Sequence, residues 1–290
     1  MKFKKDKKIK EIKENLEDLK DEIGDKINKN IIENEEVKKK TNAFLRKFFD
    51  VCLKIKMVCL YLISKINISN LKLGKFNIKL SKEGRNTILI VFGIFVVSFI
   101  TIGFGFLTTT LMFLLLMTVY FFRDPERVLP EKNNILVSPC DGKILTIETS
   151  NLPSEISSKD AREYTKISIC MNFNDVHVQR IPVDCKVKQK EYIKGTFINA
   201  TLDKASKDNE RNILLVEREN GDNICIVQIA GLISRRIVCN VEKDEFCKIG
   251  ERYGMIKFGS RVEIYVPKNY KIEVLAGQRV ISGETVVASF

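Results

Sequence analysis

The sequence predicts a mainly β protein, in which an antiparallel β-sheet of barrel-sandwich type over 123–290 is preceded by N-terminal helices and a hydrophobic membrane hairpin. Three observations carry this. The 37 residues from Asn86 to Phe122 contain no charge. From Arg123 onward, apolar residues recur with the period of strands, in short runs broken by turn residues. Two turns near the C-terminus echo one another: Val241 stands nine residues before Gly250-Glu251 and Val274 nine before Gly283-Glu284, an offset of 33.

Taken in order, 1–43 reads as a charged helical extension. Ile9, Ile12, Leu16, Leu19 and Ile23 form an apolar seam between Lys and Glu, lasting only about two heptads, so a solvated helix is expected rather than a coiled coil. No apolar core of a cleavable signal is found in the first 30 residues. The segment 44–85 reads as a basic membrane-surface segment. Its stretch from Phe44 to Ile66 mixes apolar residues with Arg46, Lys47, Lys54, Lys56 and Lys65, the pattern of an amphipathic helix on an anionic membrane surface.

The uncharged run 86–122 would be about 55 Å long as one helix, against a hydrocarbon core of roughly 30 Å. Gly103-Phe104-Gly105 divides it into two segments of 17 residues, each at the short end of what can cross. Lys72, Lys75, Lys79, Lys82 and Arg85 precede the run, and Arg123, Arg127 and Lys132 follow it. Both ends are thereby expected on the cytoplasmic side. A re-entrant hairpin dipping into one leaflet meets the same counts.

In 123–290, Ile135 to Thr149 is β-rich and interrupted by Ser138-Pro-Cys-Asp-Gly142, Thr165 to Met171 is a short apolar run, and Asp175 to Arg180 alternates like a strand. Asn220-Gly221 between two apolar runs is the strongest hairpin signal, over 214–231. A short helix is expected near Thr201 to Asn209. The echoed turns suggest two similar hairpins packed together, as in biotinyl- or lipoyl-type barrel sandwiches. Neither turn carries a lysine at its tip for a swinging arm.

The net charge of +12 ordinarily points to nucleic acid or an anionic membrane. Residues 1–86 hold 23 basic and 13 acidic residues, however, so +10 of it flanks the hydrophobic run and nucleic acid is not the expected partner. Eight cysteines without a CxxC pair argue against a structural zinc site and read as reduced, mostly buried thiols. One histidine, His177, excludes multi-histidine metal centres, and no metal site is expected.

Three strings could carry chemistry: SPCDG with Asp141, DVHVQR with His177, and KFGSR with Gly259-Ser260. Each alone has an ordinary structural reading as turn, satisfied histidine or loop. Together they supply a carboxylate to orient an imidazole, an imidazole to move a proton, and a hydroxyl beside a residue without a side chain.

The strings FFRDPER, SPCDGKI, DVHVQRIPVDCKV, LDKASKDNERN, QIAGLISRRIVC, GERYGMIKFGSRVEIYVP and GETVVAS, in this order from Phe121 to the C-terminus, resemble the phosphatidylserine decarboxylase proenzymes, in their short bacterial form. Cys140 stands where a small residue such as alanine is expected. The resemblance does not cover 1–80. It implies a pyruvoyl cofactor made from Ser260 by self-cleavage at Gly259-Ser260, into a β chain of 1–259 and an α chain of 31 residues, 260–290. It further implies that His177 acts as base, held in its tautomer by Asp141. The pyruvoyl ketone takes up the serine amine of phosphatidylserine and accepts the electrons released with CO2, leaving phosphatidylethanolamine.

Arg235, Arg236 and Arg211 are weaker candidates for the lipid phosphate, each equally readable as surface charge or a salt-bridged loop. The implied partners are the membrane phospholipid, the two chains of one proenzyme and an anionic membrane surface; the oligomeric state, a homo-oligomer included, stays open. Two readings compete: a decarboxylase of another serine phospholipid such as archaetidylserine, and a non-catalytic membrane-tethered β-barrel binding module.

Overall fold

A computed structural model describes residues 70–73, 76–156, 162–199, 201, 205–232, 236–257 and 260–290, with 43 and 46 as isolated helical positions. The Ile9 to Ile23 seam, the amphipathic stretch 44–66 apart from 46, Arg235 and Gly259 lie outside the described residues. Two compact units divide the chain, Met1–Ile66 and Asn67–Phe290; the elements below belong to the second.

The first of them is a strand pair that the sequence patterns did not reveal, β1 (Asn70–Leu73) antiparallel to β2 (Phe76–Lys79). The uncharged run then folds as two helices, α1 (Arg85–Ile102) and α2 (Phe106–Phe121), packed against each other. Gly103 ends α1 at φ +77, a left-handed position that a residue without Cβ adopts without strain. Three threonine hydroxyls of the helices are satisfied locally: Thr101, Thr110 and Thr118 donate to the carbonyls of Val97, Phe106 and Leu114 at 2.9, 2.9 and 2.7 Å. This lets a helix carry threonine in an apolar medium. Lys82–Ile102 is the one described helical stretch long and apolar enough to cross a membrane. Ile90, Ile100, Phe104, Phe106 and Phe113 all face outward, a contiguous apolar surface that soluble monomers rarely carry.

Both ends of the helical pair are pinned together. Ser81 N–H donates to Phe122 O at 2.9 Å and Asp124 N–H to Lys79 O at 2.7 Å, with a bridge between Leu80 and Arg123. The division of the run at Gly103 to Gly105 is therefore realised, and the two ends emerge side by side. Beneath them Gly84 packs on the Phe122 ring, where a Cβ would lie 2.2 Å from Cγ. Gly84→Ala is expected to unseat Phe122 and lower unfolding stability by about 1–3 kcal/mol, whereas Gly105→Ala, with nothing within 4 Å of its added carbon, serves as the neutral control. Chemical denaturation of both variants in detergent checks this; equal loss in both would contradict it.

The rest is mostly β, as expected. A curled eight-stranded antiparallel sheet has the order β11 (Phe246–Cys247), β7 (Cys185–Ile193), β8 (Arg211–Glu217), β9 (Asn223–Ala230), β13 (Ser260–Pro267), β5 (Tyr164–Met171), β4 (Gly142–Ser150), β15 (Arg279–Val280). Two three-stranded sheets, β10 (Ile237–Cys239), β12 (Arg252–Ile256), β6 (Val178–Arg180) and β14 (Lys271–Ile272), β16 (Val286–Ser289), β3 (Ile135–Val137), complete it. One face of the large sheet buries Ile169, Met171, Ile226, Ala230, Val262 and Ile264 in the main core, and the other buries Ile213, Val227, Ile229 and Tyr265. This alternation places side chains two apart on one face. Each fully buried aliphatic side chain stabilises the fold by about 1.5–3 kcal/mol.

The Asn220-Gly221 signal is borne out as the β8–β9 hairpin, with Gly221 at φ +83. A short helix, Ala205–Asp208, falls within the stretch expected to be helical. The alternating DVHVQR is a strand only at its end, Val178–Arg180. Its first half is a loop, because the Asp175 side chain accepts the Asn172 amide at 2.7 Å and the Asp175 amide donates to Asn172 O at 2.9 Å, closing a turn where the ladder would continue.

The echoed turns are alike in detail. Gly250 and Gly283 have φ +78 and +76, and the amides of Glu251 and Glu284 donate to Lys248 O and Ile281 O at 3.1 Å each. A second correspondence joins them: Asp184 accepts the Ile249 amide at 2.6 Å as Asp141 accepts the Ser282 amide at 2.8 Å. Between the halves, Val137 N–H donates to Pro182 O and Arg180 N–H to Pro139 O, both at 2.9 Å. The two turn regions are thus alike, and the segments beside them exchange reciprocal hydrogen bonds.

Candidate active site

Ser260 opens β13, which lies between β9 and β5 and is buried along all eight residues. It is opposite Met171 on one side and Ala230 on the other. Its hydroxyl is 1% exposed and meets the Met171 thioether at 4.0 Å, a weak contact that leaves the oxygen able to turn. The chain leaving Met171 makes the Asn172–Asp175 turn and reaches His177. The next residue, Val178, pairs with Met255, and β12 leads through 257–259 into Ser260. Ser260 thus pairs with Met171 and Met255 with Val178, and His177 stands on the stretch between those two partners, next to Val178.

The imidazole is wholly buried. Nδ1 lies 2.9 Å from Asp175 O; a carbonyl only accepts, so Nδ1 carries the hydrogen and Nε2 is the bare, basic nitrogen. Nε2 is buried without a hydrogen-bond partner. Burial is the chief cause that lowers the imidazole pKa to about 4; the Asp175 carbonyl and charge oppose it and the Arg123 charge adds to it. At neutral pH the ring is a neutral base. The Phe121 ring packs over it with centroids 4.2 Å apart at 37°.

Asp141 does not hydrogen-bond the ring. Its carboxylate accepts two bonds from Arg127, at 2.8 and 3.0 Å, and the Ser282 amide at 2.8 Å. The Val176 amide, next to His177 in the chain, also favours the charged carboxylate, while the tautomer is set by Asp175. Burial raises its pKa, opposed by Ser282, Arg127 and Val176. Since Asp184 makes the equivalent turn contact, part of the Asp141 geometry belongs to the repeated fold; the pair with Arg127 is its own.

Of the head-group candidates, Arg236 is exposed. Arg211 is buried, donates to the carbonyls of Lys207 and Asn209 and pairs with Glu155. It lines a cavity of about 520 Å³ with Glu155, Lys166, Lys207 and Glu263. That cavity opens on the sheet face of Ile213 and Val227, opposite the face of Ser260. The residues that the sequence patterns missed are Phe121, Arg123, Arg127 and Asp175. Three of them lie in the FFRDPER string, whose spacing resembles no site; they matter through contacts across the fold.

A buried hydroxyl at the head of a central strand and a buried imidazole with an unpartnered nitrogen are groups of the kind that acid–base enzymes use, here on a mostly β scaffold. Residues 114–288 match the family model described as phosphatidylserine decarboxylase. Among relatives, the phosphatidylserine decarboxylase proenzyme of Wolbachia pipientis wMel is 42% identical over 211 residues, 72% of this chain and 90% of the relative. That of Pelagibacter ubique (strain HTCC1062) is 45% identical over 210 residues, covering 72% and 96%. That of Rickettsia bellii (strain OSU 85-389) is 48% identical over 172 residues, covering 59% and 74%. The chain belongs to the phosphatidylserine decarboxylase family.

Proposed function

We propose that this chain cleaves itself between Gly259 and Ser260 and, as the mature enzyme, uses Ser260, His177 and Asp141 to turn phosphatidylserine into phosphatidylethanolamine and CO2. The activity is that of the family, phosphatidylserine decarboxylation with a pyruvoyl group derived from a serine. The observation that carries the residue assignment is the bare, buried Nε2 of the sole histidine, on the stretch that starts at Met171, the strand partner of Ser260.

The residues fit the group. Its precursor hydroxyl is in the chain, on a buried residue, with the Met171 thioether 4.0 Å away, and a neutral base is present. In the self-cleavage His177 takes the hydroxyl proton as the Ser260 oxygen attacks the Gly259 carbonyl carbon; the amide C–N bond breaks and an ester forms. Loss of the Ser260 Cα proton expels the Gly259 carboxylate, and water converts the remaining double-bonded residue to the pyruvoyl cap and ammonia. Gly259 has no side chain to obstruct the approach.

Once made at position 260, the pyruvoyl group would supply a carbonyl for the lipid amine and an electron sink for decarboxylation. The substrate ammonium must first lose a proton, and Nε2 can accept it. After CO2 leaves, the same imidazole, now cationic, returns a proton to the α carbon. Asp141, near the Val176 amide, is proposed to keep the backbone before His177 in place. Arg236 and Arg235 are proposed for the phosphate; Arg211 would have to leave Glu155 to reach it.

The helical pair is proposed as the membrane anchor, with the β domain on the cytoplasmic face and the basic segment 44–85 against anionic lipid. The repeated hairpins favour a barrel-sandwich description of the domain. Intact mass of the expressed chain tests the proposal: a 31-residue fragment with a blocked N-terminus is expected. It should stay bound under native conditions, because β13 is held on both sides by β5 and β9. A wholly uncut wild-type chain in membranes would sink it.

A further inference from the structure

We infer that Phe121, the last residue of α2, is a positioning residue for the reaction: its ring seats the His177 imidazole, making the apolar hairpin a wall of the active site. This rests on the reading of His177 as proton carrier.

Phe121 is fully buried, and besides His177 its ring meets Phe173 at 5.5 Å. The residues beside it hold the same loop. Tyr120 Oη donates to Asn174 O at 3.4 Å, and the Arg123 guanidinium donates to the same carbonyl while lying 4.0 Å over the Tyr120 ring. The end of α2 and the residues just after it therefore grip the 172–177 loop through Tyr120, Phe121 and Arg123. The imidazole has one hydrogen bond, from Nδ1 to Asp175 O. A ring held by a single bond can rotate about that contact unless a face is blocked, and Phe121 blocks it.

What remains unpartnered is Nε2, the nitrogen the chemistry needs. The charged groups around the ring are Arg123 beyond α2, Asp175 on its own loop, itself paired with Arg279, and, near Val176, Asp141, itself paired with Arg127. Phe121 contributes the apolar burial that keeps the ring neutral.

The sole histidine makes the test direct. With 13C-labelled histidine, the full chain in nanodiscs gives one imidazole Cε1 resonance, whose pH titration is read separately from turnover. Phe121→Leu keeps an apolar side chain and removes the ring. Its histidine is expected to titrate at least about one unit above the wild type, toward the ordinary 6.5, with kcat at pH 7 down roughly tenfold or more and KM little changed. Phe122→Leu, an equally buried neighbour packed on Gly84, should leave the titration at the wild-type value. Phe121→Met supplies the same reading from a side chain nearer in length. A Phe121 variant that titrates like wild type overturns the inference, and so does an equal shift in Phe122→Leu. The two readings part on His177→Asn: normal turnover in that variant defeats the proton-carrier role, whereas its inactivity beside an unshifted Phe121→Leu defeats this inference alone.

Discussion

Ser260→Ala is expected to accumulate as one uncut chain of 290 residues and to release no CO2 from phosphatidylserine. The hydroxyl is the nucleophile of the acyl shift, and its oxygen departs with the Gly259 carboxylate to leave the double bond that water converts to the ketone, so its removal eliminates both reactions. The fold should tolerate the change. The hydroxyl has a thioether 4.0 Å away as its contact, so the loss of stability should stay below about 1 kcal/mol. A denaturing gel, intact mass and 14CO2 release from carboxyl-labelled lipid measure the three consequences together. Release of CO2 by the uncut variant would remove Ser260 from the chemistry. A fully cleaved variant would place the scissile bond elsewhere.

His177→Asn is expected to lose about 10²- to 10⁴-fold in rate, both in appearance of the α chain and in turnover of whatever is cleaved. Asparagine can keep a donor toward Asp175 O, so the 172–177 loop should hold while the basic nitrogen is gone. A second consequence concerns acid. The native imidazole pKa is about 4, below the roughly 6.5 of an unfolded histidine. Above pH 6.5 neither state binds the proton and the ring adds no pH dependence. Between about 6.5 and 4 the unfolded chain binds a proton that the native one refuses, so stability falls with pH through this window, by at most about 3 kcal/mol. Below 4 the native ring binds it too and the difference is constant. The difference in unfolding free energy between wild type and His177→Asn should narrow from pH 7 to pH 4.5. A difference independent of pH would mean that the ring is not held neutral.

Some of this was legible in sequence for definite reasons. An Asn-Gly pair between apolar runs marks a hairpin because glycine takes positive φ without strain, as Gly221 does at +83, and β8–β9 forms there. Glycines at 103 and 105 divide an uncharged run too long for one span, and the chain turns back at that place. These are local effects. DVHVQR misled because alternation measures side-chain polarity, whereas the Asp175 carboxylate captured the Asn172 amide and closed a turn. The sequence also marked Asp141 and His177 as a pair by analogy with a carboxylate that grips a ring. In the fold the carboxylate takes Arg127 and the Ser282 amide instead, and a backbone carbonyl holds the ring.

Residue identity alone determined the inventory of chemistry: a single imidazole, a Gly-Ser bond, a carboxylate in a turn, and an apolar run too long for one crossing. Only the tertiary structure decided the partners. Arg127 and Asp141 are 14 residues apart, Asp141 and Ser282 are 141 apart, and Phe121 reaches His177 only because α2 ends against the 172–177 loop. Such pairings follow from how strands and helices pack, since burial rewards the arrangement that satisfies the most polar groups at once. Local composition carries no record of that arrangement, and so the nitrogen left bare for chemistry could be found only in the folded chain.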